Sequence, residues 1–103
     1  MGRYRVELSE EALEQVQVIR AWWMEHRPAA PELFIDELRA AVRKLGAMPR
    51  IGARYELLEL REMRRMLLPR TRHHVYYVVA DDACIVRIHA VWHAARNWPG
   101  GTP

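Results

Sequence analysis

Between Tyr4 and Leu8 apolar and polar residues alternate around Val6 and Leu8, and this period of two predicts a short first strand. The period then changes. Ala12, Val16, Ile19 and Trp23 recur at spacings of four, three and four, which aligns them as one stripe of an α-helix. Ser9 stands where an N-cap accepts a hydrogen bond from a free first-turn amide. Glu10 and Glu11 put negative charge where the helix dipole favours it. Pro28 ends this helix, because the residue before a proline is pushed out of the helical region. A second helix is predicted from Pro31, with Phe34, Leu38, Ala41, Val42 and Leu45 as its apolar face and Gly46 as its C-terminal cap. The short break between the two predicts an antiparallel helical hairpin.

Beyond Gly46 the helical period stops. Ala47 to Tyr55, with Pro49 and Gly52, reads as a loop, and Glu56 to Arg61 fits either a helical turn or the start of a strand. Three strands follow at Met63–Leu68, Val75–Val79 and Cys84–Trp92, separated by Pro69–Arg72 and by Asp81-Asp82, both good turn material. Such short links predict an antiparallel meander. In the last strand Val86, Ile88, Ala90 and Trp92 share one face, with Ile85, Arg87, His89 and Val91 on the other. Cys84 is expected to be a small core residue at the start of that strand, and Trp23 belongs to the core. The architecture is therefore α+β in the order β-α-α-β-β-β. A helical hairpin packs on one face of an antiparallel sheet, in one domain spanning residues 1–103.

Composition narrows the class. With 50% hydrophobic residues the chain has enough apolar surface for a packed core. No apolar run approaches the roughly 20 residues that span a bilayer, and the first residues lack a signal-peptide pattern. The expectation is a cytoplasmic protein with no membrane partner. Cys84 is the single cysteine, which excludes an intrachain disulfide and a thiolate zinc cluster.

Charge changes the picture more, because the net +3 is unevenly spread. Residues 1–60 carry eight Arg and Lys44 against ten acidic residues, whereas residues 61–103 carry seven Arg against Glu62, Asp81 and Asp82. Guanidinium groups bind carboxylates and phosphates in a planar fork, so a basic C-terminal half points to an anionic partner. The meander gathers Arg64 and Arg65 with Arg70, Arg72, His93 and Arg96 into one cationic region. Solvated edge charges that discourage aggregation are the alternative account of the same residues. Whether Arg64 or Arg65 faces solvent stays open, since a one-residue register slip exchanges them. Trp22 and Trp98 are candidates for a partner surface, Trp22 with partial burial in the monomer. His73 and His74 are adjacent in a strand and point to opposite faces. His89 and His93 would share a metal only on a helix, so no metal or cofactor is expected.

The stretch MRRMLLPRTRHHVYYVVADDACIVRIHAVWHAAR, Met63 to Arg96, resembles the C-terminal half of RelE/ParE-family toxins of type II toxin–antitoxin systems. PRIGARYELLE, Pro49 to Glu59, is similar to the P-x-x-G segment of that family, and the preceding helical hairpin fits as well. The resemblance covers nearly the whole chain and implies the fold derived above. It also implies a cognate antitoxin as direct partner, with operator DNA reached only through it. Arg65, Arg70, Arg72 and Trp22 are then the antitoxin-binding candidates.

Two modes of action share this fold. ParE-like members are described as inhibitors of DNA gyrase, and here Arg64, Arg65, His93, Arg96 and Trp98 become the target-binding candidates. RelE-like members cut mRNA on the ribosome with cationic side chains that stabilise the transition-state phosphate, a role that Arg65, His93 and Arg96 would fill. Departures from the nuclease pattern favour the first mode. Pro69, Ala94 and Leu67 stand where cationic residues would be expected, and no tyrosine follows Trp92. The expected activity is growth arrest by gyrase inhibition, with ribosome-dependent mRNA cleavage as the alternative.

Overall fold

The computed structural model describes residues 3–55 and 62–96. Its elements are β1 (Arg5–Leu8), α1 (Glu10–His26), α2 (Leu33–Ala47), β2 (Ala53–Arg54), β3 (Arg64–Leu68), β4 (His73–Ala80) and β5 (Ile85–His93). The predicted segment Glu56 to Arg61 and the candidate Trp98 lie outside the described residues.

Strands β3, β4 and β5 form the expected antiparallel meander, and the sheet order is β1-β5-β4-β3-β2. The sheet as a whole is mixed, because β1 pairs in parallel with β5, Val6 opposite Val86 and Leu8 opposite Ile88. The helical hairpin carries the chain from β1, on the edge beside β5, to β2 on the far edge. The loop at 47–55 also contains a strand that periodicity cannot reveal. Ala53 and Arg54 pair with Arg65 and Arg64, and two residues are too few to show alternation.

One face of the sheet carries the helices. Ala12 and Val16 of α1 and Phe34, Leu38, Ala41 and Leu45 of α2 are buried against Leu68, Val75, Tyr77, Val86, Ile88 and Val91, with Ile19, Trp23 and Val42 packed around them. Ser9 caps α1 as predicted. Its Oγ accepts from the Ala12 amide at 3.1 Å and donates to the His89 carbonyl at 3.2 Å.

That second bond answers a feature the sequence pattern hides. Tyr76 pairs with Ala90 but Tyr77 pairs with Ile88, so His89 is an extra residue bulged out of β5. The bulge exchanges the faces of the strand. Val86 and Ile88 point to the helices before it and Val91 does so after it. Ala90 and Trp92 join a smaller cluster on the opposite face with Met63, Tyr76, Tyr55 and Val78. The single face expected for Val86, Ile88, Ala90 and Trp92 therefore divides at His89.

Three local expectations are also corrected. Helix α2 starts at Leu33, because Glu32 has a non-helical backbone (φ −96°, ψ 4°) and Pro31 belongs to the preceding turn. Gly46 lies inside α2, which runs on to Ala47. The Gly46 carbonyl accepts from the Tyr4 amide at 2.9 Å, just ahead of β1, and a Cβ at Gly46 would sit 3.1 Å from the Tyr4 carbonyl oxygen. Cys84 is exposed, since it closes the 81–84 turn with φ 55° and the strand begins only at Ile85.

Candidate functional site

The outer side of α1 does not reach the sheet, and a groove remains between it and the end of β5. The groove has a volume of about 890 Å³. Val18, Ile19, Trp22 and Trp23 of α1 form one wall, Val91 contributes apolar surface from the sheet, and Trp92, which packs on the opposite face, borders the groove at the end of β5. Its rim is cationic, with Arg27 at the end of α1, Arg70 and Arg72 in the β3–β4 turn, and His93 and Arg96 after β5. Glu14 is the acidic side chain among the lining residues. Apolar walls below charged edges suit an amphipathic segment better than a small polar solute.

The aromatic wall is ordered by its own contacts. Trp22 stacks on His26 at 4.7 Å between ring centroids, and the Arg27 guanidinium lies 4.9 Å from the Trp22 ring centroid. Trp22 keeps 42% of its surface exposed, so it presents an aromatic face to the groove. On the opposite edge Arg96 lies 5.3 Å from the Trp92 ring centroid. Arg27 was not singled out by sequence. It sits in the Arg27-Pro28 step that ends α1, where only the fold reveals that its head turns back over two tryptophans.

The turn 69–72 is fixed from α2. One carboxylate oxygen of Glu37 accepts from the Arg70 amide at 2.7 Å, and the other accepts from the Thr71 amide at 3.0 Å and the Thr71 hydroxyl at 2.7 Å. Arg72 adopts a left-handed backbone, φ 65°, and its carbonyl accepts from the Ala94 amide at 2.7 Å.

Histidine positions separate by face, as the adjacent pair required. His73 is buried on the helix side, 5.2 Å from the Phe34 ring and 5.3 Å from the His93 ring. Burial, reinforced by the nearby His93, lowers its pKa to about 4, so the ring is neutral at physiological pH. His74 lies on the other face near Tyr76, where burial and then the Arg65 and Arg72 charges also lower its pKa. His93 accepts the Ala95 amide on Nδ1 at 3.1 Å. Its neutral form therefore carries the proton on Nε2 and offers a donor to the groove. His89 and His93 are four residues apart along a strand, about 13 Å, too far to share an ion.

Register settles the arginine pair. Arg64 pairs with Tyr77 on the helix side, and its guanidinium donates to the Gly52 carbonyl at 2.8 Å and the Arg50 carbonyl at 3.3 Å. Arg65 pairs with Tyr76 on the opposite face, 4.8 Å from the Tyr55 ring centroid. The candidates are thus regrouped. Trp22, Arg70, Arg72, His93 and Arg96 share the groove, Arg64 braces the 50–52 loop, and Arg65 lies across the sheet.

Solved structures place this architecture among known folds. A chain of the chromosomal ParDE toxin–antitoxin system from P. aeruginosa superposes with a TM-score of 0.68 at 14% identity, over 88% of this chain and 96% of that one. A chain of the RelBE2 complex from Mycobacterium tuberculosis gives 0.63 at 21% identity, over 93% and 97%. One from the intact E. coli RelBE complex gives 0.60 at 22%, over 90% and 99%. At such identities the likeness is one of fold. Against curated protein sequences nothing matches. Residues 6–98 match the family model described as the ParE toxin of the type II toxin–antitoxin system parDE. That match takes in both helices and the whole sheet except the first residue of β1, and the chain belongs to the ParE toxin family, within the RelE/ParE group of type II toxins.

Proposed function

We propose that this toxin arrests growth in the ParE manner, by binding DNA gyrase, and that a cognate antitoxin neutralises it by occupying the groove. The observation that carries this reading is the apolar groove beside α1 with its cationic rim, a surface suited to holding a partner segment. Cleavage of mRNA would need a proton-transfer group and a phosphate-stabilising cation around one phosphate. His93 borders the groove, whereas Arg65 is on the opposite face beside Tyr55, and Arg96, at the groove's end, packs over Trp92 of that same face's cluster. The Ala95 amide occupies His93 Nδ1, which leaves Nε2 as the nitrogen for a partner.

A binding function asks only for shape and charge. Trp22 and Trp23 supply an aromatic surface, and Arg70, Arg72 and Arg96 supply sites for acidic side chains. An antitoxin segment seated there would reach Arg65 only by continuing over the sheet edge onto the open face. The mRNA-cleaving alternative rests on His93 and Arg96 lying together in the groove.

Pulse labelling after induction without antitoxin separates the two. Gyrase inhibition requires DNA synthesis to fall first. A primary fall in protein synthesis would transfer the function to mRNA cleavage, with His93→Ala as the first variant to examine.

A further inference from the structure

We propose that Glu37, a residue outside the groove on α2, is the positioning residue for the groove's cationic rim. The proposal rests on the reading of that rim as the surface for an acidic partner. Three hydrogen bonds converge on the Glu37 carboxylate, from the Arg70 amide, the Thr71 amide and the Thr71 hydroxyl. They satisfy backbone donors of a turn whose Arg72 is held in the left-handed region, which a side-chain-bearing residue adopts only when its surroundings enforce it. The carboxylate binds the backbone of Arg70 and not its guanidinium. Among the described residues no carboxylate forms a salt bridge with Arg70 or Arg72, so the turn is fixed while its charges stay available.

The same turn carries the second half of the rim. The Arg72 carbonyl accepts the Ala94 amide, the His93 carbonyl accepts the Arg96 amide at 3.0 Å, and His93 Nδ1 accepts the Ala95 amide. A continuous hydrogen-bonded path therefore runs from one α2 carboxylate through the 69–72 turn to the 93–96 turn. Each of Arg70, Arg72, His93 and Arg96 is placed by a segment on that path. Polar positions of an amphipathic helix are ordinarily solvated, and Glu37 looks like one of them until the turn is folded against it.

The charge of Glu37 makes the idea testable by sign. A carboxylate next to a cationic rim opposes an acidic ligand through space. If Glu37 acted by charge alone, Glu37→Gln would tighten such a ligand. If it positions the rim, Glu37→Gln loosens binding, because the amide places an N–H against one of the turn's donors. The probe is a twenty-residue poly-L-glutamate peptide titrated into the intact protein, with amide hydrogen exchange followed at Ala94. For Glu37→Gln we expect about five- to tenfold weaker binding and at least tenfold faster exchange at Ala94.

Thr71→Val, which removes one of the three bonds and guards against a fold defect, should shift both readouts the same way by about twofold. Tighter or unchanged peptide binding by Glu37→Gln, or unchanged Ala94 exchange, overturns the positioning role. Arg70→Ala/Arg72→Ala separates this from the underlying reading. If that variant binds the peptide as wild type does, the rim is not an acidic-partner surface, whatever Ala94 exchange says of Glu37.

Discussion

The loop at 49–52 and the turn at 69–72 both carry arginines, and a carboxylate from another element holds each of them. In the first, the Asp81 carboxylate takes the Arg50 guanidinium in a two-pronged salt bridge and also accepts from the Tyr4 hydroxyl at 2.7 Å. Arg50 and then Tyr4 keep the Asp81 carboxyl below the usual carboxylate range. Arg64 completes the brace by donating to two loop carbonyls, and the Gly52 amide donates to the Tyr77 hydroxyl at 2.8 Å. In the second, Glu37 holds backbone donors and leaves both guanidiniums to the groove. Arginine thus braces the fold in one place and, among the described residues, lines the groove without a salt bridge in the other. Residue type cannot distinguish these uses, whereas the atom that the carboxylate binds can.

The strongest way to break the braced loop is Gly52→Ala. A Cβ there would lie 2.6 Å from the Tyr77 hydroxyl oxygen and 2.7 Å from the Arg65 carbonyl oxygen, which belongs to strand backbone and cannot give way. The expected loss is about 2–3 kcal/mol in denaturant unfolding, at the upper end of ordinary overpacking. A variant as stable as wild type would show that the loop can move off the sheet at little cost.

Acidification should weaken the floor beneath the second turn. The His73 pKa falls from 6.5 to about 4 on folding, so the unfolded chain binds the proton more tightly. The stabilisation is present above the unfolded value and is lost as pH falls from about 6.5 towards 4, amounting to roughly 2 kcal/mol by pH 5. His73→Phe should remove that part of the pH dependence. An unchanged slope between pH 7 and pH 5 would assign the acid sensitivity to other groups.

Smaller effects sharpen the contrast between the arginines. Arg64→Ala should cost about 1 kcal/mol through its two carbonyl bonds, read as a shift in the unfolding midpoint. Arg70→Ala should change stability by less than about 0.5 kcal/mol, as surface substitutions usually do. Equal losses at the two positions would erase the distinction between bracing and groove arginines.

The fold was largely legible because its elements are long and strongly periodic. The α1 stripe, the α2 face and the meander all follow from spacing, and Ser9 caps α1 as its type and position required. What stayed hidden depends on pairing across the chain. The bulge at His89 adds one residue and turns Ala90 and Trp92 away from the helices, which no alternation count can detect. Strand β2 exists only by pairing with β3. Of the site, the cationic half was visible as composition, but its division between faces was not, because Arg64 and Arg65 are adjacent and register alone separates them. Glu37 and Arg27 escaped notice because each is an ordinary charged residue on a helix until a distant turn or an aromatic pair meets it.

The most direct test of the groove's role is a supercoiling assay with purified DNA gyrase. It would compare the wild-type toxin with His93→Ala/Arg96→Ala, a variant checked to unfold at the same midpoint. The account predicts that wild type blocks supercoiling and accumulates cleaved DNA, while the variant does so only at more than tenfold higher concentration. Gyrase unaffected by wild type, or inhibited equally by both proteins, would contradict it.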